Sequence, residues 1–79
     1  MSEPTPERIR GQLGYLFDDD PDLADASDEE LADRLDAQDR AARARAELPL
    51  ESDAVVRERA ATLDRRVTPE LVAAARQGM

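Results

Sequence analysis

Seventy-nine residues with 19 acids, 11 bases, a net charge of −8 and neither cysteine nor histidine describe one small domain, and they exclude disulfides and the common zinc sites. Charge of this sign disfavours nonspecific binding to nucleic acid or to anionic membranes. All eleven bases are Arg, so the His, Cys or Lys of the usual nucleophile–base pairs is missing and no enzyme is expected.

The chain begins Met-Ser-Glu-Pro-Thr-Pro-Glu, with no basic or apolar leader, and no apolar run approaches the roughly 18 residues of a membrane span. A soluble, cytoplasmic protein is the expectation, with residues 1–4 flexible and one domain over 1–79. Thr5-Pro6-Glu7 combines an N-cap, a proline at the first helical position and an acid in the first turn. The helix it opens, 6–17, carries Ile9, Leu13, Leu16 and Phe17 on one face. Gly11 and Gly14 sit inside it at about 1 kcal/mol each relative to Ala. They imply either close approach by another helix or a helix that stays soft until bound. Tyr15 lies off the apolar face, an exposed residue or an anchor for a partner. Asp18-Asp19-Asp20-Pro21-Asp22 ends the helix, since acids oppose the dipole there and Pro21 disfavours helix at Asp20. Leu23 is expected to fold back into the core.

Ser27 and Glu30 form a capping-box pattern ahead of the longest helical run, 28–47, and acids crowd its first turn. Leu31, Leu35, Ala42 and Ala46 give it a stripe, and three shorter segments are expected to pack against it. Leu48-Pro49-Leu50-Glu51 reads as an extended connection whose two Leu insert between helices. Ser52 or Asp53 caps a third helix, 53–66, with Val56, Ala60, Leu63 and Val67 as its stripe. Thr68-Pro69-Glu70 repeats the opening device and starts a helix at 69–77, with Leu71, Val72 and Ala75 apolar and Gly78 as C-cap. The fold class is all-α, a small bundle of three to four helices.

Fifteen Ile, Leu, Val and Phe side chains make a thin core for a domain of this size, which normally leans on a disulfide, a metal or a partner. Association with a protein partner or with itself is therefore expected, without direct nucleic-acid or membrane contact and without a cofactor. Tyr15, Asp18, Asp19, Asp20, Leu48 and Leu50 are the candidate partner-binding residues. Residues 1–39 hold thirteen acids against three Arg, and residues 40–79 six acids against eight Arg, so the two halves can also pair with each other.

Three other arrangements compete with docking. Asp18, Asp20, Asp22 and Glu29 fall at positions 1, 3, 5 and 12 of a calcium-loop pattern over 18–29, but Leu23 stands where the turn needs Gly and Asp25 where an apolar residue pairs across the loop. The acids from Asp18 to Asp39 could imitate a nucleic-acid backbone and occupy a basic cleft, although such runs are usually solvated faces. A helix-turn-helix could be drawn from 53–65 and 69–77, but Arg76 is the only base on its second helix. Ser52-Asp53-Ala54-Val55-Val56-Arg57-Glu58 resembles a helix of small bacterial antitoxins, with no β-ribbon DNA reader before it. The expected function is a non-enzymatic helical interaction module: a regulatory inhibitor, an antitoxin-like protein or an accessory subunit.

Overall fold

The computed structural model describes residues 4–78; the expected flexibility of 1–4 concerns mainly residues outside that range. Four helices follow one another: α1 (Pro6–Asp19), α2 (Asp28–Glu47), α3 (Asp53–Ala61) and α4 (Pro69–Gln77), with a 3-10 turn at Pro21–Asp25. Each α-helix begins where the sequence supplies a hydroxyl. Thr5, Ser27, Ser52 and Thr68 accept the backbone N–H of Arg8, Glu30, Val55 and Leu71 at 3.2–3.4 Å, each meeting one donor that the first turn leaves unpaired. Among the described residues the Glu30 carboxylate makes no return bond to Ser27, so the capping box is half formed.

The dry core draws Ile9 and Leu13 from α1, Leu23 from the 3-10 turn, Leu31, Ala32 and Leu35 from the first half of α2, Val67, and Val72 and Ala75 from α4. Leu16, Phe17 and Leu71 pack on its edge. Leu23 is buried as expected, because Pro21 starts a short turn that delivers it inward while Asp22 and Asp25 stay exposed. α1 runs to Asp19, two residues past its expected end, and closes with the Asp20 N–H on the Leu16 carbonyl.

Four expectations are corrected. α2 is not the sole platform: α3 and α4 pack on it, whereas α1 packs chiefly on α4. Its stripe is not Ala42 and Ala46, which are exposed, but Leu31, Ala32, Leu35, Asp36, Arg43 and Ala44. Polar residues hold the lower half of that face because it meets a stretch of irregular backbone that needs partners. The third helix stops at Ala61 rather than 66, since Thr62 folds its N–H and hydroxyl back onto the Arg59 carbonyl and Leu63 N–H reaches Ala60. Asp36 then captures the N–H groups of Arg66 and Val67 at 2.9 and 3.0 Å. Held in an irregular segment, Val67 reaches the core by a route that helical spacing does not reveal. Finally, Leu50 is 98% exposed and inserts between no helices, while Leu48 is half-buried.

The principal extents are 37 × 24 × 17 Å with a radius of gyration of 13.1 Å, against about 11.6 Å for a spherical domain of this length. The elongation follows from α2, about 30 Å long: α1, the 3-10 turn and α4 contribute to the core beside its first half, and α3 contributes nothing to that core.

Candidate interaction surfaces

Surfaces able to meet another molecule are those the chain leaves uncovered. On α1 the inner face holds Ile9 and Leu13, so the opposite face carries Arg8, Gly11, Tyr15 and Asp18, at i, i+3, i+7 and i+10. Tyr15 is 79% exposed. A shallow depression lined by Gly11, Gly14, Tyr15 and Asp18 runs along this face, and Gln12, Tyr15, Leu16, Asp19 and Gln38 line another on its flank. A methyl group built on Gly11 or Gly14 would meet no atom within 4 Å. Close approach inside the chain is therefore not what these glycines serve.

Beyond Tyr15 the helix ends in an acidic corner. Asp18, Asp19, Asp20, Asp22 and Asp25 are exposed, and none forms an ion pair with another described residue. The wider anionic surface expected from the sequence is smaller than the composition implies. Asp36 is buried, Asp39 faces Arg43, Asp28 binds Arg76 and Asp33 binds Arg65. Among the described residues, no three carboxylates gather in a metal-binding group, and the 18–29 stretch forms the end of α1, the 3-10 turn and the start of α2.

The second surface is the corner between α2 and α3. Leu48 and Val55 line a shallow depression with Glu58, Arg59 and Thr62, and Leu50 stands free beside the turn. Val55, 39% exposed, was not singled out in the sequence; its place one residue before the buried Val56 is the signal for it. The six candidate residues thus separate into two sets. Tyr15, Asp18, Asp19 and Asp20 share one end of α1, whereas Leu48, which caps α2, lies about 15 Å along that helix from Gln38, which borders Tyr15, and Leu50 follows in the turn beyond it.

Most of the Arg side chains serve the fold. Arg40, Arg43, Arg45, Arg59, Arg65 and Arg76 each face a carboxylate of the same chain. Arg43 also donates to the Asp64 carbonyl at 2.5 Å, and Arg76 to the carbonyls of Ala26 and Ala24. The Arg40 and Arg43 Nε atoms lie 2.8 and 2.9 Å from their carboxylates but off the hydrogen-bond direction, so these contacts are ion pairs only. On α3, the guanidinium of Arg59 hydrogen-bonded to Glu47 holds that carboxyl below its ordinary range, and Arg45 does the same to Asp53. α3 packs on α2, and α4 on α1 and α2, so α3 and α4 do not form the compact pair that a helix-turn-helix requires.

Comparison of the chain with protein-family models, with curated proteins and with solved structures finds no match.

Proposed function

We propose that this protein is a non-enzymatic helical interaction module that acts by docking the outer face of α1 on another protein surface. The observation that carries the proposal is Tyr15: a large amphipathic side chain, 79% exposed, on a helix face where a Cβ added at either glycine would meet none of the described residues packed against the helix. Tyrosine is enriched where binding energy concentrates, since it supplies much contact area at little rotamer cost. Glycines beside it lower helix propensity, a cost that intrachain packing does not explain. A photo-crosslinkable side chain in place of Tyr15, expressed in the protein's own cells, should give a discrete adduct that the same group at exposed Arg34 does not give. Equal labelling from both positions would remove the basis for the proposal.

The acidic corner supports a second reading, an anionic decoy that occupies a basic nucleic-acid-binding cleft. Its five carboxylates, in the short stretch from the last turn of α1 through the 3-10 turn, are exposed and form no ion pair with another described residue. Binding of that kind falls steeply with salt and should be lost when Asp18, Asp19 and Asp20 become Asn. Binding that tolerates salt and depends on Tyr15 favours docking by α1.

A further inference from the structure

Resting on the docking proposal and naming its partner, we infer that the outer face of α1 pairs with the same face of a second copy, antiparallel, with Tyr15 of each chain seated on the other's Gly11 and Gly14. The face is self-complementary in shape, and its two Arg8–Asp18 meetings offset the exposed Glu7, which lies one turn before Gly11 and comes opposite Asp19. Arg8 marks its start and Asp18 its end, about 15 Å apart along the helix, with Gly11 and Tyr15 between them about 6 Å apart. Turning a second copy end for end about the level of Leu13 brings Arg8 opposite Asp18 and Tyr15 opposite Gly11, twice each. Asp19, one residue on, also comes within reach of the opposing Arg8. Within the chain, Arg8, Asp18 and Asp19 form no ion pair with another described residue. A parallel arrangement would set Arg8 against Arg8 and Asp18 against Asp18, so charge selects the antiparallel one.

Shape agrees. The depression lined by Gly11, Gly14, Tyr15 and Asp18 is open above both glycines, and a ring projecting from the facing helix occupies that space with the two backbones close together. The contact has the two-fold form in which one patch meets itself. Its extent is modest: α1 is about 21 Å long, and one helix pair buries well under the roughly 800 Å² per partner of a standard interface. The dimer is therefore weak, forming at high micromolar concentration. Two chains of charge −8 repel at long range, and that repulsion is screened before the short Arg8–Asp18 contacts are. Association is thus stronger at 0.15 M salt than at 0.01 M.

The test is sedimentation equilibrium of the purified full chain from about 10 μM to 1 mM, near these weak-binding concentrations. The mass should climb from 8.7 kDa towards twice that value. Gly11→Leu closes the seat for Tyr15 and should weaken the dimer at least about tenfold, while raising the monomer's Tm by its better helix propensity. Arg8→Asp and Asp18→Arg should each abolish pairing, and the double swap should restore it. Both changes place favourable charge at their end of the helix, so loss of the dimer cannot be a loss of folding. A wild-type chain of 8.7 kDa at 1 mM, or a dimer indifferent to these substitutions, overturns self-pairing. If position 15 then crosslinks a different protein in cells, docking by α1 stands and only the second copy is wrong; if it crosslinks nothing, both fail.

Discussion

The two halves of α2 are held by different physics. Around Leu31 and Leu35 the neighbours are apolar and the side chains are fully buried. Around Arg43 and Ala44 the neighbours are α3 and the 62–67 segment, and the contacts there include a buried Arg, several ion pairs and, from α3, the buried side chain of Val56. Apolar burial is non-directional and is not weakened by charge screening, whereas exposed ion pairs contribute about 0–1 kcal/mol each and are screened. The first region therefore sets the global stability, and the second opens from it at lower cost.

Truncation in each region sharpens that contrast most. Leu35→Ala should cost about 4 kcal/mol, because Leu35 is 1% exposed and its loss leaves a cavity in a close-packed core. In a domain whose whole stability is about 4–12 kcal/mol, that leaves little folded protein, as a urea titration read by circular dichroism will show. Val56→Ala should cost about 1.5 kcal/mol for its two methyl groups, and amide exchange should show α3 opening freely while α4 stays protected. Equal loss of protection in α3 and α4 would mean that the halves unfold as one.

Asp36 is where the two regions join, and its removal is the next largest effect expected. It lies in mid-helix, 4% exposed, and holds the backbone of Arg66 and Val67 as well as Arg40. Asp36→Ala strands those donors and should cost about 3 kcal/mol. Asp36→Asn keeps an acceptor for the backbone and should cost about half as much. If the two variants melt together, the carboxylate serves Arg40 and not the 62–67 segment.

That residue also marks the limit of what the sequence makes legible. Four helix starts can be read from Thr5, Ser27, Ser52 and Thr68, because a hydroxyl cap acts within three residues. The inner face of α1 is equally legible, since Ile9, Leu13, Leu16 and Phe17 repeat at one spacing. The irregular path that carries Val67 into the core is not, because it depends on Asp36, some thirty positions away in the chain. Apolar spacing also misleads in the second half of α2. There Ala is a helix former first, and the buried face belongs to Asp36 and Arg43 because they satisfy irregular backbone. Among the candidate interaction residues, Tyr15 could be placed off the core face by counting, but the open space over Gly11 and Gly14 requires coordinates. Leu50 looked like core by its chemistry alone.

Acid should separate the halves in a milder way. The ordinary pKa values are 3.8 for Asp53 and 4.5 for Glu47, and in the folded chain both are lowered by their hydrogen bonds from Arg45 and Arg59. A carboxyl whose folded pKa lies below its unfolded value stabilises fully above the unfolded value, and that contribution is lost as pH falls through the folded one. α3 should therefore be unaffected from pH 7 to about 5.5 and loosen below about 4.5, ahead of the core. NMR shifts of Val55, Val56 and Ala60 would report it. In a chain carrying both Asp53→Asn and Glu47→Gln the same residues should lose much of this pH dependence, with α3 already looser at pH 7.

The smallest expected effect tests how the core region closes at its far end. Gly78 terminates α4 with φ −91° and ψ 0°, which any residue can adopt, so handedness is not its role. A Cβ there would stand 2.1 Å from the Arg10 guanidinium, which lies across the helix end while Arg10 Nε donates to the Ala75 carbonyl at 3.1 Å. Arg10 thus caps α4 from α1, a cation on the negative end of a helix dipole. Gly78→Ala displaces the guanidinium, Nε included, at the far end of a flexible side chain and should cost under about 1 kcal/mol. Arg10→Ala removes the same contact from the other side, so the double variant should cost little more than Arg10→Ala alone. Strict additivity in thermal melts would mean that the glycine is there for some reason other than to admit the guanidinium.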